Sequence, residues 1–269
     1  MEEQSISKRA VKIRLEDTVQ KIIDIFELDD GKSFVEKKKE AISYLENHED
    51  SELAKTVLRM AINDDKARQI KEKFWKQGDI IQSNSHVHIR CVSEIDRKKY
   101  IELQKETCII KSMLKEESYQ LMLWKEHTQD KSLMFTIEVD DEYAGFCGIN
   151  NLTHDDWEIA VEILAKFRRR GIAYTAINIM LSEIKLRLGV EAFRVKIYPD
   201  NYASQYLFEK LGAIPYGIAE FFLHDENSLN RCEEENLDAI DDKLVSLAER
   251  FGVEPRKLLS HVLEYKLKW

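Results

Sequence analysis

Glycine and proline are scarce, with 9 and 3 in 269 residues, and 34% of the chain is charged. So few breakers argue against a loop-rich sandwich and favour long, solvated helices. Also missing is any run of about 18 uninterrupted apolar residues, the length a membrane span needs. Met1-Glu2-Glu3-Gln4 does not begin a signal peptide, so a cytoplasmic protein with no membrane partner is expected. The four cysteines, Cys91, Cys108, Cys147 and Cys232, show no paired spacing, which fits reduced thiols. A basic surplus is absent throughout. Lys+Arg against Asp+Glu number 16 to 18 in residues 1–82, 18 to 22 in 83–225 and 7 to 10 in 226–269. No segment therefore has the electrostatic footprint of a general nucleic-acid binder, and the mild acidity leans towards a cationic substrate.

What is present begins with amphipathic helices. Residues 1–82 read as helices over 6–28, 33–47, 51–62 and 65–77, broken by Asp29-Asp30-Gly31 and capped by Ser51 and Asn63-Asp64. Each has one apolar face to bury, as a bundle packed on the rest of the chain or on a partner. From His86 the period changes to two. Strands are predicted over 86–92, 132–139, 143–149, 157–164, 192–198 and within 214–223, with helices over 94–106, 109–126, 173–188 and 201–211. His86, His88 and Cys91 have a spacing that invites a metal, but no other ligand clusters with them, and no metal site is expected. Beyond an acidic linker at Glu233-Glu234-Glu235, helices over 237–251 and 256–268 flank Gly252-Val253-Glu254-Pro255. That order evokes a helix-turn-helix, but the charge balance favours a helical hairpin packed on the N-terminal helices or on a second subunit, a route to a homo-oligomer.

The stretch that speaks of chemistry is Arg168-Arg169-Arg170-Gly171-Ile172-Ala173-Tyr174-Thr175, a basic turn between a strand and a helix. The first amides of a helix have no intrahelical partner and carry the positive end of its dipole, so an anion such as phosphate docks there. Gly171 lets the backbone approach closely, and Ala173 keeps the next position small.

Arg168, Gly171 and Ala173 fit an Arg/Gln-x-x-Gly-x-Gly/Ala pattern. Asn201, Ser204 and Leu207-Phe208-Glu209-Lys210-Leu211-Gly212-Ala213 follow as Asn-x-x-Ser/Ala and a helix ending in Glu-Lys-x-Gly. Together they resemble the two signatures of the GNAT superfamily of N-acetyltransferases over about residues 83–225, nearest the branch that acts on ribosomal-protein N-termini and antibiotics. The resemblance implies an α+β fold, a mixed twisted sheet flanked by helices, here with all-helical extensions over 1–82 and 226–269. It also implies acetyl-CoA as acyl donor, with its pyrophosphate on Arg168, Arg169, Arg170, Gly171, Ile172, Ala173 and Tyr174. The sheet is expected to splay beside the strand 157–164, where backbone groups of Ile163 and Leu164 would align the pantetheine and polarise the thioester carbonyl.

Deprotonating the incoming amine needs a base. Glu158 and Glu162 lie on one face of the same strand, and either is a candidate, or both are merely solvated. The leaving thiolate invites a proton donor. Many family members carry tyrosine where this chain has Phe208, which cannot donate, so Ser204, one helical turn away on the same face, takes that role. Asn201 bonds the pantetheine or caps the helix. The expected reaction is direct attack of an amine on acetyl-CoA in a ternary complex, the amine belonging to a protein N-terminus, lysine, polyamine or aminoglycoside. The alternative is a non-catalytic module that binds acyl-CoA or a partner.

Overall fold

The computed structural model describes residues 20–22, 24–25, 28, 30–32, 34–47, 67–72, 74, 78–83, 86–108, 111–153, 157–220 and 224–269. The chain forms two compact units, Met1–Lys66 and Ala67–Trp269. In the first, helix α1 spans Phe34–Glu46 and buries Ala41 completely. The expected helix over 51–62 lies outside the described residues.

The second unit is built on one eight-stranded sheet: β1 (Ile80–Ser83), β2 (Val87–Cys91), β3 (Leu133–Val139), β4 (Glu142–Asn150), β5 (Trp157–Ile163), β6 (Ala192–Ile197), β7 (Ile214–Ala219) and β8 (Val262–Lys268). Their order is β1-β2-β3-β4-β5-β6-β8-β7. Every neighbouring pair is antiparallel except β5 and β6. Helices α2 (Arg97–Thr107), α3 (Glu117–Thr128), α4 (Ile172–Leu188), α5 (Tyr202–Lys210), α6 (Glu226–Glu235) and α7 (Asp242–Phe251) flank or link the strands. The β3–β4 hairpin turns on Asp140 and Asp141, whose φ values of 50° and 64° give a two-residue turn the twist that matches its strands.

Two expected boundaries move. The division falls after residue 66, because residues 67–82 belong to the sheet unit: Ala67, Ile70 and Phe74 join its core, and β1 pairs with β2. At the other end, the helix expected over 256–268 is a short 3-10 turn, Pro255–Leu259, followed by strand β8. The helical hairpin reading of 226–269 is thereby corrected. The reason is visible in the residues: Leu263, Tyr265 and Leu267 alternate with Glu264, Lys266 and Lys268, a period of two. β8 lies between β6 and β7, so α6 and α7 are an insertion into the sheet's connections rather than a tail. That insertion is fastened from inside. Glu233, fully buried, accepts from Arg256 Nε at 2.7 Å, Lys257 Nζ at 3.0 Å and Ser260 Oγ at 2.8 Å.

α2 is anchored at its start by a buried ionic cluster. Arg90 Nη1 donates to Asp96 Oδ2 at 2.8 Å and Arg90 Nε to Glu138 Oε1 at 3.0 Å, while Thr136 Oγ1 donates to Asp96 at 3.0 Å. Burial alone would raise the Asp96 carboxyl, but Arg90, the Ser93 amide and Thr136 hold it below the ordinary aspartate range. The cluster ties the start of α2 to β2 and β3.

β4 and β5 meet unusually closely at Gly145. A Cβ there would lie 2.0 Å from the Glu162 carbonyl oxygen, whereas one at Gly217 would meet nothing within 4 Å. Gly145→Ala is therefore expected to lower stability by about 2 kcal/mol or more, as overpacking against backbone does, and Gly217→Ala to leave it nearly unchanged. Equal melting temperatures for the two variants would refute the close approach.

Candidate active site

The site is organised by a break in the sheet. β5 and β6 are in register only at Trp157↔Phe193 and Glu158↔Arg194, so beyond Glu158 the two parallel strands part. Helices α4 and α5 start beyond the ends of β5 and β6, so their N-termini flank the opening, the usual place for a ligand where parallel strands diverge. The exposed edge of β5 leaves backbone groups without a strand partner. Leu164 N–H is not one of them, since it donates to Ala144 O at 2.9 Å, towards β4. By alternation the Ile163 N–H faces the opening. The Ile163 carbonyl, on the same side, accepts from Arg168 Nε at 2.8 Å. Of the two backbone positions named from the sequence, Ile163 therefore faces the opening and Leu164 does not.

After β5 the chain makes a 3-10 turn, Ala165–Phe167, and enters α4 through Arg168–Gly171. Ala165 N–H is capped by Glu106 Oε2 at 2.8 Å, which ties the turn to the end of α2. Phe167 is buried, with Lys166 Nζ 4.9 Å and the Arg170 guanidinium 5.5 Å from its ring centroid. Arg168, Arg169 and Arg170 are exposed. Arg169 sits at φ 61° and Gly171 at φ 77°, two left-handed residues that turn successive amides towards one point. A left-handed Arg169 stores about 1–2 kcal/mol of strain. The first amide of α4 to find a carbonyl is Thr175, onto Gly171 O at 3.0 Å, which leaves those of Ile172, Ala173 and Tyr174 pointing outwards. A Cβ on Gly171 would meet no atom within 4 Å, so the space over this nest is open. The basic side chains, free amides and open cradle fit a diphosphate. Lys210 Nζ, 4.8 Å from the centroid of the Tyr174 ring, adds charge from α5.

The two carboxylates have different surroundings. Glu158 Oε2 is 3.2 Å from Lys196 Nζ on β6, an ion pair across the joined part of the sheet. Glu162, about 13 Å further along at the strand's rise per residue, stands beside α2. Gln104 Nε2 and Thr107 Oγ1 both donate to its Oε2, each at 2.9 Å. Burial pushes the Glu162 carboxyl above the ordinary glutamate range, and the bonds from Thr107 and Gln104 and the charge of Arg168 offset only part of that. A carboxyl raised above its ordinary range by burial, next to an opening, is a candidate for a group that takes up a proton. Gln104 and Thr107 were not named from the sequence; their spacing of three on α2, whose buried face also carries Tyr100, is the only signal there was.

On α5, Asn201 Oδ1 accepts from Ser204 N–H at 3.1 Å, so Asn201 is the helix cap. Ser204 is half-buried near the N-terminus of α5. Phe208 is 2% exposed and belongs to the core, so it presents no surface to a ligand. His88 Nε2 lies 2.8 Å from Glu138 Oε2, His86 Nδ1 3.3 Å from exposed Asp140, and Cys91 is fully buried, so the three share no centre.

Residues 87–214 match the family model described as Acetyltransferase (GNAT) domain. Over that stretch the chain is similar to a GNAT acetyltransferase domain. Its fold is similar to that of RimL, a ribosomal L7/L12 alpha-N-protein acetyltransferase in complex with coenzyme A, at 14% identity and TM-score 0.50 over 71% of this chain and 98% of that one. It is also similar to the microcin C7 self-immunity acetyltransferase MccE in complex with acetyl-CoA and AMP, at 16% identity and TM-score 0.51 over 74% and 99%. No curated protein matches. No helix among the described residues is long and apolar enough to cross a membrane.

Proposed function

We propose that the chain is an N-acetyltransferase that uses acetyl-CoA to acetylate a primary amine by direct attack, with donor and acceptor bound together. Acetyl-CoA supplies an activated acyl group as a thioester. The reading is carried by one arrangement: an amide nest at the start of α4, a free strand edge at Ile163 and a half-buried carboxylate at Glu162, all around the parting of β5 and β6.

The amides of the Arg168–Tyr174 turn hold the pyrophosphate, with Arg169, Arg170 and Lys210 supplying charge at exposed positions. Ile163 N–H is the donor on the open strand edge for an acyl or pantetheine carbonyl. Glu162 takes the proton of the arriving ammonium, since only a neutral amine has the lone pair for attack. Ser204 is the hydroxyl on α5 available to the departing thiolate. Glu158, paired with Lys196, is the weaker candidate for the base. The acceptor is an amine that is cationic before it reacts, as at a protein N-terminus, lysine, polyamine or aminoglycoside. RimL and MccE, whose fold this chain shares, are described as a ribosomal L7/L12 alpha-N-protein acetyltransferase and a microcin C7 self-immunity acetyltransferase.

Gly171→Asp tests the donor site. It places a carboxylate in the open cradle and is expected to weaken acetyl-CoA binding by well over tenfold, more than about 1.4 kcal/mol, in calorimetric titration. Equal affinity in a folded Gly171→Asp chain would remove the turn from the donor site. A mass-spectrometric screen of the wild-type chain with acetyl-CoA and these amine classes then identifies the acceptor, and binding without acetylation of any amine would favour the non-catalytic alternative.

A further inference from the structure

Among the described residues, Glu162 receives two hydrogen bonds on one oxygen and none on the other. Gln104 Nε2 and Thr107 Oγ1, both from α2, converge on Oε2 at 2.9 Å, while no donor among the described residues is bonded to Oε1. Gln104 is 8% exposed and has no freedom to leave, and α2 is itself pinned through Asp96 to Arg90 and Thr136. We propose that Gln104 and Thr107 are positioning residues: they clamp Glu162 through Oε2 so that Oε1 alone is presented to the acceptor amine.

This rests on Glu162 being the base and adds how α2 sets it. A carboxylate free to rotate about its last torsion offers either oxygen in any direction; one held by two donors offers a single lone-pair direction, as proton transfer from a bound amine requires. The donors also favour the charged form against its burial. Other ionisable groups facing Glu162 are Arg168 from the turn after β5, Tyr100 from α2 and Tyr143 from β4. Burial raises both tyrosines well above the ordinary phenol range, so they stay neutral across the range in which a carboxyl titrates. The Tyr143 hydroxyl is buried without a hydrogen-bond partner, so it does not compete with α2 for the carboxylate.

The test needs no substrate. In chain labelled with carbon-13 at glutamate carboxyls, the Glu162 signal is identified by its loss in Glu162→Gln, and its titration is followed by NMR. Thr107→Val keeps the shape and removes one donor, and Gln104→Leu removes the other. A bond to a charged group contributes about 1.5–3 kcal/mol, so each change is expected to move the Glu162 midpoint up by about one pH unit or more. Thr107→Ser, which restores the hydroxyl, returns it to the wild-type value. An unmoved midpoint in folded Thr107→Val overturns the clamp; Thr107 is half-buried near the helix end, so this variant keeps the test alive should Gln104→Leu fail to fold. Turnover separates the two readings. If Glu162→Gln acetylates an amine at the wild-type rate, the base assignment fails and the clamp's role falls with it. If Glu162→Gln is inactive and the midpoint does not move in the α2 variants, the clamp alone is wrong.

Discussion

A chain ending at residue 225 will not yield a folded sheet domain, although it contains every residue of the two signature stretches. Such a chain lacks β8, which pairs with β6 over Ala192–Ile197 and with β7 over Ile214–Ala219. Val262, Leu263, Tyr265 and Leu267 are each at most 3% exposed. At about 2 kcal/mol for each fully buried large apolar side chain, their loss is on the order of 8 kcal/mol, comparable with the whole stability of a typical domain. The deletion also strips the partner from β6, next to the opening, and leaves Glu209 without Tyr265 Oη, which donates to it at 3.0 Å. Circular dichroism and solubility of the 1–225 chain should show loss of cooperative unfolding. A cooperative melt near that of the full chain would refute the view of β8 as a structural member of the sheet. Internal replacement of residues 227–256 by a short linker that keeps β8 is the informative contrast, since it removes α6 and α7 but preserves the strand.

β8 also departs from the helix that the sequence predicts over 256–268. Its alternating Leu263, Tyr265 and Leu267 were legible, but a helix, a Gly-containing turn and a following apolar stretch together suggested a second helix. The turn chemistry was correct, with Gly252 as a left-handed cap at φ 65° and Pro255 opening the next turn; the period after it decided the element. The anion-binding turn was legible because its physics is local, a glycine and a helix start. Glu162 was legible as one of two candidates, since strand alternation puts it on a face with Glu158. Which of the two packs against donors was not legible, because Gln104 and Thr107 lie 58 and 55 residues away. Only the way α2 packs against the sheet brings them together. Lys196, which occupies Glu158, is likewise a cross-strand partner from beyond α4.

Replacing Glu162 by glutamine should cost activity and gain stability in the same molecule. Glutamine keeps the shape and an oxygen that accepts from Gln104 and Thr107, but it takes no proton at neutral pH. Turnover is expected to fall by about a hundredfold to ten-thousandfold, the usual contribution of a positioned base. The loss should shrink as pH rises and the amine substrate loses its own proton. Stability moves the other way. Because burial holds the Glu162 carboxyl above the ordinary range, the native state binds the proton more tightly than the unfolded chain does. That preference stabilises the fold below the unfolded glutamate value and is lost as pH climbs through the raised native value. Above it the wild-type chain carries a desolvated charge that glutamine does not. The melting temperature of Glu162→Gln should therefore exceed that of wild type at neutral and alkaline pH, with the difference closing under acid conditions. A variant that is less stable than wild type at alkaline pH would show that the hydrogen bonds outweigh desolvation at this carboxylate. A variant that retains full turnover across the pH range would take Glu162 out of the reaction, whatever its effect on the melt.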